Sequence, residues 1–117
     1  MKKLAIFSVL LMLVAACEKE HCGDDNGLNA CLQEKVETYK ADAKENPCAN
    51  YGVKEYEFEG KRVYVFGSPA CVADGQDFVL NAKCDTICFL GGISGNSSCS
   101  GKSFYANAVF KRDIWKP

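Results

Sequence analysis

With 117 residues, 14 basic against 15 acidic side chains and one histidine, the chain carries a formal net charge of −1. That near balance argues against a nucleic-acid partner, which needs clustered Lys and Arg, and the length allows one small domain with a modest core. Eight cysteines are a heavy load at this length and point to an oxidising compartment.

The chain opens with Lys2 and Lys3, then a low-polarity run over residues 4–16 that closes on Val14-Ala15-Ala16-Cys17. Small residues ahead of a cysteine form a lipobox, so residues 1–16 read as a bacterial lipoprotein signal peptide and Cys17 as the lipidated (palmitate-bearing) first mature residue. The apolar run would rise only about 20 Å as a helix, short of the roughly 30 Å hydrocarbon slab, and is therefore an address and not a span. Several acyl chains, at roughly 0.8 kcal/mol per buried CH₂, make the membrane a permanent partner. Glu18 follows Cys17 in place of the aspartate that retains lipoproteins on the inner membrane. Cys17-Glu18-Lys19-Glu20 partly matches an acidic export signal, so the expected location is the cell envelope, at the outer membrane and facing outward.

Residues 17–27 read as a charged tether. Asp24-Asp25-Asn26-Gly27 resembles a fragment of a calcium loop, yet it lacks the alternate acids and terminal Glu of an EF-hand. Residues 28–117 form the expected single domain. Leu28, Leu32, Val36 and Tyr39 fall at helical spacing behind Asn29 as N-cap, and Pro47 stops the run, which predicts a helix over residues 30–44. Alternation then replaces that period. The segments VKEYEF (53–58) and RVYVF (62–66) around Glu59-Gly60 predict a hairpin, with Tyr56 and Phe58 on the face opposite Glu55 and Glu57. Residues 78–80 and 86–90, joined by a turn over residues 81–85, predict a second hairpin. A helical turn over residues 104–108 and a last strand over residues 109–115 follow, with Lys111 and Asp113 expected on the face of Trp115. The fold class is thus α+β, an N-terminal helix packed on a small antiparallel β-sheet and reinforced by disulfides.

With Cys17 committed to lipid, Cys22, Cys31, Cys48, Cys71, Cys84, Cys88 and Cys99 remain. Cys22, in the tether, is the candidate for the unpaired thiol. The other six permit several connectivities. Locality favours Cys31 with Cys48, Cys71 with Cys84 and Cys88 with Cys99, although a helix between Cys31 and Cys48 obliges the chain to double back. A zinc site from Cys71, Cys84, Cys88 and Cys99 is the rival, disfavoured outside a reducing compartment, and no metal or cofactor is expected. His21 lies beside the anchor, away from a core, so no nucleophile has a base. Asp24 with Asp25 and Asp74 with Asp77 lie in turn-like sequence suited to solvation and capping. An enzyme is not expected.

The stretch GGISGNSSCSGK (91–102), dense in Gly and Ser and lacking a phosphate-binding motif, is the candidate binding loop: Gly91, Gly92, Ser94, Gly95, Asn96 and Lys102. The order CLQEKVETYK, VKEYEFEGKRVYVF, SPAC, ICFLGGISGN and NAVFKRDIW resembles a family of small bacterial lipoproteins or secreted domains of unknown function. The resemblance implies a compact fold with a leading helix and antiparallel sheet, bridges that reinforce it, and no transferable functional residue. The expected function is a membrane-anchored interaction module for a protein, peptide or glycan. The alternatives are a structural accessory lipoprotein or an inhibitor of an extracellular protease.

Overall fold

The computed structural model describes residues 27–46, 52–69, 71 and 74–117. The expected signal peptide over residues 1–16, the expected lipidation site Cys17, the expected tether up to Asn26 with its Cys22, and Cys48 lie outside the described residues. Helix α1 runs Ala30–Glu45, as its periodicity predicts. Asn29 caps it, its Oδ1 accepting from the Leu32 N–H at 2.9 Å, and ties this end to a distant turn by donating its Nδ2 to the Ala82 carbonyl at 2.6 Å. Leu32, Val36 and Tyr39 form the buried stripe, while Glu37 and Lys40 pair at 2.9 Å on the outer face.

Strands β1 (Val53–Phe58) and β2 (Lys61–Phe66) form the predicted hairpin. Glu59 and Gly60 both take positive φ, 53° and 73°, the backbone handedness that matches the twist of a two-residue hairpin. Strands β3 (Gln76–Asn81) and β4 (Thr86–Gly91) form the second hairpin, whose turn is held by the Asn81 side chain accepting from the Lys83 and Asp85 N–H groups. A two-stranded ribbon, β5 (Ser98–Cys99) and β6 (Lys102–Ser103), leads into the single turn α2 (Phe104–Asn107) and then β7 (Val109–Trp115). The main sheet is antiparallel in the order β4-β3-β2-β1-β7, so the last strand returns to flank β1. Among the described residues no helix is long and apolar enough to cross a membrane.

Strand alternation divides the core between two faces. Val53, Tyr64, Phe66 and Leu80 point at α1 and meet Leu28, Leu32, Val36 and Tyr39. Phe58, Val63, Val65, Val79 and Leu90 point the other way and meet Cys99 and Phe104 from the ribbon and α2. Because both sides are covered, the last four residues of β2 are all buried. Tyr39 locks α1 to the sheet: its hydroxyl donates to the Gly67 carbonyl at 2.5 Å and accepts from the Gly52 N–H at 2.9 Å.

The covalent links depart from the local pairing. Cys88 joins Cys99 as expected, but Cys31 joins Cys84 across 53 residues of sequence, replacing the expected Cys71 to Cys84 and Cys31 to Cys48 bridges. The reason is topological: α1 lies across the sheet with its first turn over the β3–β4 turn, where Asn29 also bonds Ala82. Cys71 is disulfide-bonded as well, so all four sulfurs of the zinc alternative are consumed in bridges.

Candidate functional site

On the sheet face opposite α1, the ribbon and α2 stop short of the sheet's end and leave a groove of about 640 Å³. Its floor is Lys54 and Tyr56 of β1, Val65 of β2, Asp77 of β3, and Phe110 and Asp113 of β7, with Tyr105 of α2 as one wall. Gly52, Gly67, Ser68, Lys116 and Pro117 form the rim. Tyr56 is the centre of an aromatic cluster, with ring centroids 5.4 Å from Phe104, 6.1 Å from Tyr105 and 5.7 Å from Phe110, all near edge-to-face. Phe104 is fully buried beneath, whereas Tyr105 and Phe110 remain 54% and 50% exposed.

The polar groups interleave with these rings. Asp77 accepts from the Ser68 N–H at 2.7 Å, and Asp113 pairs with Lys116 at 3.1 Å. Burial pushes the Tyr105 phenol up to about 12, aided by the Asp77 carboxylate. Burial, then Asp113 and Asp77, raises Tyr56 as well. Both hydroxyls therefore keep their protons at neutral pH and stand as donors beside carboxylate acceptors.

Two β-bulges create this arrangement. Between β1 and β7 the register slips at Val53/Lys54 and at Glu55/Tyr56, each slip reversing which face the following side chains take. Asp113 thereby lines the groove, opposite Lys54. Trp115 packs on the α1 side, 5.7 Å from Tyr39. The expectation that Asp113 shares the face of Trp115 is corrected on this ground. On the α1 side of the same strand pair, Arg112 meets the buried Glu55 at 3.2 Å.

The residues of the candidate loop are divided between two places. Gly91 and Asn96 exchange backbone hydrogen bonds of 2.7 and 3.1 Å, and Gly92 donates to the Gly75 carbonyl at 3.2 Å. Asn96 Nδ2 donates to the Phe89 and Ser98 carbonyls, and its Oδ1 accepts from the Ser98 N–H. Gly92 and Gly95 take φ of +78° and +63°, and a Cβ on Gly92 would run into the Gln76 side chain. These residues, with Ser94 between them, form a tight turn leaving β4 at the Asp77 end of the sheet, where Asp77 faces Leu90 across β3–β4. Lys102 stands at the opposite end, paired with Glu59 of the hairpin turn at 3.2 Å.

Sequence reasoning singled out none of Tyr56, Tyr105, Phe110 or Asp113 as site residues, and assigned Asp77 to solvation. The available signal was the aromatic density of residues 104–110, whose alternation cannot all be buried by one short turn and an edge strand.

Comparison with curated proteins and with solved structures found no match. A family model described as a domain of unknown function, DUF6970, matches residues 37–117, from the middle of α1 through β7 and including every residue of the groove. The chain belongs to this DUF6970 family.

Proposed function

We propose that this protein is an envelope lipoprotein, anchored through Cys17 at the outer membrane, whose domain is a non-enzymatic binding module. The observation that carries the reading is the groove: an open concavity with half-exposed rings beside polar groups is a surface built for contact. Its carboxylates are engaged by the Ser68 N–H and by Lys116, which suits recognition better than proton transfer. The tight 91–96 turn, with Ile93 88% exposed at its tip, is a secondary contact point. Phe89, also exposed on the edge strand β4, supports the alternative of an accessory subunit that docks there.

Replacing Cys17 with Ser is expected to move the protein from the membrane to the soluble fraction, and continued membrane retention would refute the anchor. Hydroxyl-radical footprinting of the full chain with and without envelope extract tests the binding surface. Protection of Tyr105 and Phe110, with Ile93 still oxidised, is the expected pattern. Protection of Ile93 and Phe89 alone would move the contact to the β4 edge, and no protection at any of these would sink the binding module.

A further inference from the structure

Resting on the reading of the groove as the binding surface, we propose that its ligand is a neutral oligosaccharide, stacked on Tyr105 and Phe110 and hydrogen-bonded by Asp77 and Asp113. Three features select that chemistry. The floor strand β1 is paired on both sides, with β2 and β7, so no extended peptide can add to its backbone, and across the floor a ligand is read by side chains. Tyr105 and Phe110, both half-exposed, each pack edge-to-face with Tyr56. Flat apolar surfaces of this kind match the C–H faces of a pyranose.

The third feature is charge. Among the side chains that line the groove, two carboxylates, Asp77 and Asp113, are matched by two amines, Lys54 and Lys116, with Asp113 and Lys116 in direct contact at 3.1 Å. These side chains thus offer a polyanion or a polycation no net charge to bind. Carboxylates retain spare acceptor positions beyond one ion pair, and the Tyr56 and Tyr105 hydroxyls are protonated donors. Acceptors alternating with donors suit vicinal sugar hydroxyls, each of which both gives and takes a hydrogen bond. The volume, about 640 Å³, lies in the usual range for small-molecule sites, and the groove is open at its rim, so a short chain of sugars can run through it.

The test uses the full chain extracted from membranes in detergent. It is titrated calorimetrically with short neutral gluco-, xylo-, manno- and chito-oligosaccharides, and in parallel with oligolysine and oligogalacturonate. At least one neutral sugar is expected to bind with an affinity that does not change on adding salt. Tyr105→Ala and Phe110→Ala are each expected to weaken it about tenfold, Asp77→Asn to weaken it as well, and Tyr105→Phe to keep most of it. Far-UV circular dichroism and an intact Cys88–Cys99 bridge certify the fold of each variant. Binding of oligolysine or oligogalacturonate that Tyr105→Ala abolishes, without neutral-sugar binding, overturns the ligand class while leaving the groove as the binding surface. Neutral-sugar binding that both alanine variants leave intact overturns the groove and the proposal together. Absence of binding by every neutral sugar overturns the proposal, and footprinting then decides the groove on its own.

Discussion

Tyr105 illustrates how one side chain reports on its surroundings. Its ring packs edge-on against Phe104 at 5.1 Å while half of it faces the groove, and its phenol is held at about 12 against an ordinary 10.0. Below pH 10 both folded and unfolded chains keep the proton, so the phenol leaves stability unchanged. Between 10 and 12 the unfolded chain releases it first, and stability therefore falls as pH rises through that window. Tyr105→Phe is expected to remove this part of the alkaline fall, measured as the difference between denaturation midpoints of wild type and variant across that range. Parallel curves would mean that the phenol is as free in the fold as in the unfolded chain. The residue was visible in the sequence only as one aromatic among several. Its environment comes from Tyr56 and Asp77, 49 and 28 positions earlier in the chain, and no local pattern encodes that meeting.

Helix α1 and the β1–β2 hairpin were legible because their signals are short-range. A 3.6-residue period, an Asn N-cap and a Glu-Gly turn between alternating segments each act within a few residues. How α1 is fastened to the sheet was not legible, since Tyr39 reads as one more apolar position on the helix. Its hydroxyl in fact ties the exit of β2 to the entry of β1 through Gly67 and Gly52. Tyr39→Phe keeps the ring contacts with Phe66 and Trp115 but leaves a carbonyl and an N–H without their partner. A loss of about 1–3 kcal/mol is expected in urea denaturation at unchanged slope. A loss of only a few tenths would mean that water takes over both bonds. Strand β7 marks the opposite case, because strict alternation assigned Asp113 and Trp115 to one face. Bulges depend on the partner strand, and so a single strand's sequence does not announce them.

The disulfides act over longer distances. Cys31–Cys84 closes 53 residues and ties α1 to the far end of the sheet, whereas Cys88–Cys99 closes 11 and holds the ribbon over the second core. By loop entropy the first is expected to contribute about 4 kcal/mol and the second about 3 kcal/mol. The double variant Cys31→Ala with Cys84→Ala should therefore melt below Cys88→Ala with Cys99→Ala, as read by calorimetry. The reverse order would show that packing of the ribbon and α2 matters more to the fold than docking of the helix. Cysteine number was enough to expect disulfides, and local periods were enough to derive an α+β domain and to place α1, β1 to β4, α2 and β7 within a residue or two, whereas the β5–β6 ribbon fell inside the stretch read as a loop. Those properties depend on neighbours in the chain. The Cys31–Cys84 pairing, the two-sided core and the groove depend on β7 returning beside β1 and on α1 crossing the sheet. These are contacts between distant segments, chosen by burial of both sheet faces at once, and they are formed only when the whole chain packs.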